Sequence, residues 1–422
     1  MATSSFICLV SVIAALIFAL SDAQQAAPDV KPLPAQWTRG TNFFAFSAND
    51  LADNRTLDEL AQLPSVLPGV NMVAVQFMWH QTYANSSDVR RYDRTPSTES
   101  LVIFTQAAHA AGLQVYYKPI VVAQDGTEMA NLQPLNVSAW FEAYSTLILE
   151  LAALAQDLQV ERLAVGIELQ LIATPAENQW FWETLFQQTR ELYSGELTYG
   201  SNPLTGETQL IPFWSLVDVV GVDLYIPVTY GPNASLTPSW EEMVTTYRHI
   251  FNWKLAEWFA NNGSQSKLLF VSESGYPSSN KGMEVPWLLP TNDACVGEYT
   301  GNNSAQAFAF AAQFHVIAQD PVYQSWFTGF IQFWYGQPGT SDYIGSPPGV
   351  NQGPNYECGW TPSGKNETLN VLRAAYAQPG PQTQTPPQQQ ITSTLTAPAG
   401  NNGIITKTLT LEETEANSFF LE

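Results

Sequence analysis

RLAVGIELQ (Arg162–Gln170) and KLLFVSESGYPS (Lys267–Ser278) decide the fold. Each holds a short apolar run of strand length that ends at a glutamate, Glu168 in the first and Glu273 in the second. The two glutamates stand 105 residues apart, so only a fold that returns distant strand ends to one place can unite them. A parallel α/β barrel does so, and its functional groups sit at the C-terminal ends of its strands. Two carboxyl groups facing each other across a cleft are the usual apparatus for glycoside hydrolysis.

The rest of the chain supplies the other strands. Apolar β-rich runs recur at Thr41–Phe46, Met72–Met78, Gln114–Ile120, Arg162–Ile167, Leu197–Gly200, Val217–Tyr225, Lys267–Ser272 and Gly329–Trp334. Between them lie stretches with helical spacing: Thr98–Ala111, Ser138–Leu158 with Ser138 as its cap, Trp180–Tyr193, Trp240–Asn261 and Ser304–Ala318. This alternation predicts an α/β protein, a single (β/α)8 TIM barrel over residues 24–378 with long loops on its C-terminal face.

The ends differ from this middle. Phe6–Leu20 is almost wholly apolar, and Ser21-Asp22-Ala23 offers a small-residue cleavage site, so residues 1–23 read as a signal peptide. No Lys or Arg precedes the apolar run, and the competing reading is an N-terminal anchor. No later segment is expected to cross a membrane. Pro, Gln and Thr dominate after Gln378, and residues 379–422 are expected to form a flexible tail. Secretion is consistent with the cysteines. Cys8 leaves with the signal, and Cys295 and Cys358 remain as a disulfide pair or as two buried thiols. Sequons stand at Asn54, Asn85, Asn136, Asn233, Asn262, Asn302 and Asn366, which suits an extracellular glycoprotein. A formal charge of −22 argues against nucleic acid or an anionic membrane as partner. No zinc spacing, phosphate loop or zincin helix is present, so no metal or cofactor is expected.

Several segments together resemble glycoside hydrolase family 113, the (β/α)8 endo-β-mannanases. They are VYYKPIV (Val115–Val121), VGIEL (Val165–Leu169), ELTYGSN (Glu196–Asn202), VDVVGVDLYIPV (Val217–Val228), VSESGYPS (Val271–Ser278) and GFIQFWYG (Gly329–Gly336). The resemblance implies a retaining mechanism with Glu168 as acid/base and Glu273 as nucleophile. It also implies Tyr225 as the phenol that hydrogen-bonds the nucleophile, and Trp334 as the aromatic floor beneath the sugar. Many relatives in the wider clan place Asn just before the acid/base. Here that residue is Ile167, which cannot bond a sugar hydroxyl, and Asn202 becomes the candidate for that task.

Further candidates follow from position alone. Trp79, His80 and Tyr83 follow the second strand and are expected at the same mouth. Lys118 is expected either to hydrogen-bond sugar hydroxyls or to pair with a carboxylate. Asp223 shares a face with Tyr225 by strand alternation. Trp287 and Trp360 fit outer sugar platforms or loop packing. The expected partner is a β-linked polysaccharide, most simply mannan or glucomannan, acted on by a secreted, wall-associated monomer. A catalytically retired carbohydrate-binding barrel and a cell-wall transglycosylase are the alternatives.

Overall fold

Apolar runs of five to eight residues can be buried throughout only where both faces are covered. The computed structural model describes residues 28, 30–231, 234–235, 237–262, 267–287, 301–333, 358–362 and 364–378, with two strands farther on. Eight parallel strands close into a barrel in chain order. They are β1 (Thr38–Ala45), β2 (Met72–Gln81), β3 (Gln114–Ala123), β4 (Arg162–Ile167), β5 (Glu196–Ser201), β6 (Val219–Asp223), β7 (Leu269–Ser274) and β8 (Phe327–Gln332). β8 pairs back onto β1, with Thr38 opposite Gly329. The (β/α)8 fold read from the alternation is the one observed.

The larger helices are α1 (Asn54–Val66), α2 (Thr98–Ala110), α3 (Val137–Asp157), α4 (Gln179–Leu192), α5 (Trp240–Phe251), α6 (Asn303–Gln319) and α7 (Asn366–Tyr376). α3 starts from Asn136, whose side chain accepts the Ala139 N–H, and not from Ser138. It is long and apolar enough, by length and composition, to cross a membrane, contrary to the expectation of no such segment. Its apolar face is spent on the barrel: Tyr144 is fully buried and donates its phenol to the Val165 carbonyl of β4 at 2.8 Å. α5 runs on through a π turn at Asn252–Ala256 into Glu257–Asn262. α7 clips the two ends of the domain together. Tyr376 Oη donates to the Gly40 carbonyl at 2.6 Å, and Leu33 N–H donates to the Ala375 carbonyl at 2.7 Å.

Strand alternation divides the core. Met72, Ala74, Met78, Tyr116, Ile120, Ala164, Ile167, Phe270 and Ile331 form a cluster apart from the larger outer core under the helices. At the N-terminal end of the barrel the Arg162 guanidinium lies 3.9 Å from the centre of the Phe270 ring. It also pairs with Glu196 at 2.6 Å. Trp79 was expected at the sugar-facing mouth, but it belongs to the outer core. β2 runs three residues beyond the predicted end, so alternation turns Trp79 outward. There it meets Phe77 and Tyr144 edge-on, with ring centres 6.0 and 5.9 Å away.

The chain divides into two compact units, residues 1–378 and 379–422. The second is the stretch read from sequence as a flexible tail. In it β9 (Thr392–Ala399) and β10 (Gly403–Thr410) pair antiparallel, with Gly403 opposite Ala399. The β-branched residues of TSTLTAPA and GIITKTLT suit strands, a local preference hidden by the Pro and Gln around them. Of the sequons, Asn54, Asn85, Asn136 and Asn366 are exposed. Asn302 is committed elsewhere: its Oδ1 caps α6, and its Nδ2 donates to Asn280 at 2.6 Å. Asn233 and the side chain of Asn262 lie outside the described residues.

Because Trp79 is outer core, Trp79→Ala should cost about 3–5 kcal/mol of stability. Denaturant unfolding measures this, and glycan affinity should be unchanged in the protein that remains folded.

Candidate active site

β4 ends at Ile167, and the next residue turns sharply. Glu168 has a φ of +47°, in the left-handed region that non-glycine residues rarely adopt. Two hydrogen bonds hold the turn. The Glu168 N–H donates to the Gly200 carbonyl at 2.8 Å, and the Leu169 N–H donates to Tyr199 Oη at 2.8 Å. Gly166, in the VGIEL segment, is needed because a Cβ there would stand 2.7 Å from the Tyr199 ring. Pairing registers also slip next to both glutamates, between Ala164 and Ile167 on β4 and where Asp223 of β6 meets Glu273 of β7. Such irregularities re-aim side chains at the rims of barrels.

The two carboxyl groups occupy opposite environments. Glu273 is 7% exposed. Its Oε2 accepts the Tyr225 hydroxyl at 2.8 Å, and its Oε1 accepts the Lys118 ammonium at 2.5 Å. Burial raises the Tyr225 phenol well above its ordinary range, and the Glu273 charge adds to this, so Tyr225 stays a donor. Glu168 has no cation in contact among the described residues. Burial chiefly, then the negative charges of Glu273 and Glu207, push it up to about 8. A hydrogen bond from the Asn202 side chain and the more distant charge of Lys118 pull weakly the other way. At neutral pH Glu168 therefore holds a proton, while Glu273 faces an ammonium and a phenol that both donate to it.

A third carboxyl group lies beneath the pair. Asp223 is fully buried, and its Oδ1 accepts the Ser272 hydroxyl at 2.5 Å. Burial, then the Glu273 charge, raise it well above the usual range, against the pull of Lys118. Asp223 could have belonged to the site or paired with a cation; among the described residues no cation contacts it, and Lys118 pairs with Glu273 instead. Lys118 was expected either to meet sugar hydroxyls or to pair with a carboxylate. It lies in the middle of β3, fully buried, and donates to the Ser272 carbonyl at 2.9 Å as well as to Glu273. The alternative weighed for it, an ion pair, describes it. Asn202, expected to read a sugar hydroxyl in place of Ile167, is bonded to Glu168. Ile167 itself packs in the apolar cluster inside the barrel.

His80 keeps its place at the mouth. It follows Met78 on the inward face of β2 and is 6% exposed. Its ring centre lies 4.4 Å from that of Tyr92. Neither ring nitrogen has a hydrogen-bond partner among the described residues. Burial, with Arg94 and Arg90 nearby, lowers its pKa, so the ring is neutral and can donate at one nitrogen and accept at the other. Tyr225, Phe333 and Trp360 form an aromatic wall backed by Phe44 and Phe46. Trp360 contacts both Phe333 and Tyr225, at 5.1 and 6.4 Å between centres, and donates its indole N–H to the Pro286 carbonyl. It is thus inner wall, while Trp287 and Tyr83 are exposed. Trp334 and Cys295 lie outside the described residues. Cys358 is buried and disulfide-bonded. No group of three or more metal-ligating side chains occurs among the described residues.

Sequence reasoning missed Glu207. This residue begins a short helix after β5, is fully buried, and is pushed up to about 8, chiefly by burial. Nothing in LTGETQL (Leu204–Leu210) separates it from a surface glutamate, because its neighbours there are polar and show no period.

Barrel and carboxyl pair together define a protein of the glycosidase class. The chain belongs to glycoside hydrolase family 113, whose model matches residues 42–338, more than half of its length. Among solved structures it resembles the family 113 β-mannanase of Alicyclobacillus acidocaldarius, with a TM-score of 0.61 and 20% identity over 81% of this chain and 97% of that one. A second family 113 β-1,4-mannanase gives a TM-score of 0.61 and 21% identity, covering 81% of this chain and 99% of the other. The β-glucuronidase of Ruminococcus gnavus shares the fold at a TM-score of 0.51 and 11% identity, over 81% of this chain and 50% of that one. No curated protein sequence matches the chain.

The raised Glu168 also affects stability. The folded chain holds its proton to about pH 8, while an unfolded glutamate releases it near 4.5. The folded state therefore binds more protons across that window and loses stability as pH rises through it. Glu168→Gln cannot ionise. It should melt roughly 2–4 °C above the parent at pH 8 and within about 1 °C of it at pH 4, by thermal melts followed by circular dichroism.

Proposed function

We propose that this protein is a secreted, retaining endo-β-mannanase that cuts β-1,4-mannan or glucomannan by double displacement. The observation that carries the reading is the contrast between the two carboxyl groups. Glu273 accepts hydrogen bonds from the Tyr225 phenol and the Lys118 ammonium, and Glu168 is held protonated by burial and neighbouring charge. The names of the family 113 neighbours supply the substrate, since both are β-mannanases.

In the first step a Glu273 oxygen forms a bond to the anomeric carbon as the glycosidic C–O bond breaks. The Glu168 proton passes to the departing oxygen. In the second step Glu168, now ionised, takes a proton from water. The water oxygen bonds to the anomeric carbon, and the ester bond to Glu273 breaks, returning both residues to their starting forms. Tyr225 and Lys118 keep Glu273 aimed and stabilise it when it leaves. The neutral His80 ring, with both nitrogens unspent, is suited to a sugar hydroxyl. Trp334 would floor the site. Secretion follows residues 1–23 as a signal peptide, with glycans on the exposed sequons and Cys295 as the partner of Cys358. The mature chain would then be a monomer acting on polysaccharide outside the cell. The chemistry draws on side chains alone.

Reducing-sugar release from mannan, glucomannan, β-glucan, xylan and galactan tests the reading. Activity is expected on the mannans, falling about 10²–10⁴-fold in Glu168→Gln and Glu273→Gln. The parent rate should decline as pH rises through about 8, where Glu168 loses its proton. Silence on every polymer, with glycan binding kept in the double variant, would point to a retired binding barrel.

A further inference from the structure

We infer that Glu207 is a positioning residue that fixes the acid/base Glu168 from both sides, an inference that rests on the glycosidase reading. One carboxyl group makes the connection. Its Oε1 accepts the Tyr199 hydroxyl at 2.7 Å, and its Oε2 accepts the backbone N–H of Asn202 at 2.8 Å. Tyr199 in turn receives the Leu169 N–H, the residue next to Glu168 in the chain. Asn202, on the other arm, hydrogen-bonds the Glu168 carboxyl through its side chain. Glu207 thus reaches the backbone of the Glu168 turn through Tyr199 and the Glu168 side chain through Asn202.

Three features separate this arrangement from incidental packing. First, Glu207 is fully buried and contacts no cation among the described residues. A buried carboxyl group so placed costs stability, and a leucine or glutamine would avoid the cost. Second, the turn it supports is itself strained. The left-handed backbone of Glu168 persists only where the surroundings over-determine it, and the Leu169–Tyr199–Glu207 chain is part of what holds it. Third, the Asn202 N–H is bound by Glu207 and its Oδ1 accepts the Leu204 N–H at 3.0 Å. Both restraints hold Asn202 in place beside Glu168.

The consequence is confined to protonation of the leaving group. A dinitrophenolate departs without a proton, whereas a sugar hydroxyl does not, so a misplaced acid slows only the second kind of substrate. In kcat/KM, which reports formation of the glycosyl-enzyme, Glu207→Gln should lose about 10–100-fold on polysaccharide. It should stay within about 3-fold of the parent on a dinitrophenyl β-glycoside of the same sugar. Tyr199→Phe, which cuts the chain one bond earlier, should show the same split and serves if Glu207→Gln does not fold by circular dichroism. An equal loss on both substrates, or no loss on polysaccharide, would overturn the role of Glu207 while leaving the glycosidase reading intact. A parent chain inactive on both substrates would overturn both.

Discussion

The ion pair between Lys118 and Glu273 sets the electrostatics of the upper barrel. Glu168, Glu207 and Asp223 share this small volume with Glu273, and burial with neighbouring negative charge raises the proton affinity of those three. In a medium that solvates charge poorly they cannot all ionise. The ammonium touches Glu273 and no other carboxyl group among those four. A single lysine on β3 therefore gives one of the four a contacting cation, and the remaining three are pushed towards their neutral forms or keep their charge at a cost. Neither partner would be tolerated alone at this depth. Together, with the Tyr225 hydroxyl and the Ser272 carbonyl completing their contacts, they are.

Geometry adds to that assignment. A regular strand places alternate side chains at fixed angles to the sheet. Both glutamates depart from this, Glu168 through its left-handed backbone and Glu273 through the slipped register opposite β6. The wall around them is aromatic and apolar, with Tyr225, Phe333 and Trp360 packed edge to face. Such a wall presents flat apolar surface to a sugar's C–H face and excludes the water that would weaken the ion pair.

Much of this was legible in sequence. Closely bounded apolar runs marked all eight strands, and β4 was read to its last residue, because strands covered on both faces must be apolar throughout. Glu168 and Glu273 stood out as charges at the ends of such runs. Errors came where local pattern and tertiary placement part. β2 and β3 extend three residues past their apolar signal, which turned Trp79 from mouth to outer core and left Lys118 in mid-strand. Glu207 was invisible because burial of a lone acid is decided by what folds over it. The strands β9 and β10 were missed because composition averaged away their alternating threonines. Tyr225 and Asn202 were picked out through family resemblance and strand position.

The clip between α7 and β1 has a consequence for how the protein is made. The seam of the strand ring joins β1 to β8, with Thr41 opposite Gln332, 291 residues apart, and α7 clips it through Tyr376 and Gly40. Trp360, which packs on Tyr225, arrives almost as late, and its neighbour Gly359 is moored by Lys365 and Ser278. During synthesis the first strand must therefore wait, unpaired on one side, until nearly the whole domain has emerged. The cleft cannot be complete before then. A nascent chain would therefore be inert, and completion of its cleft is tied to the last turn of α7.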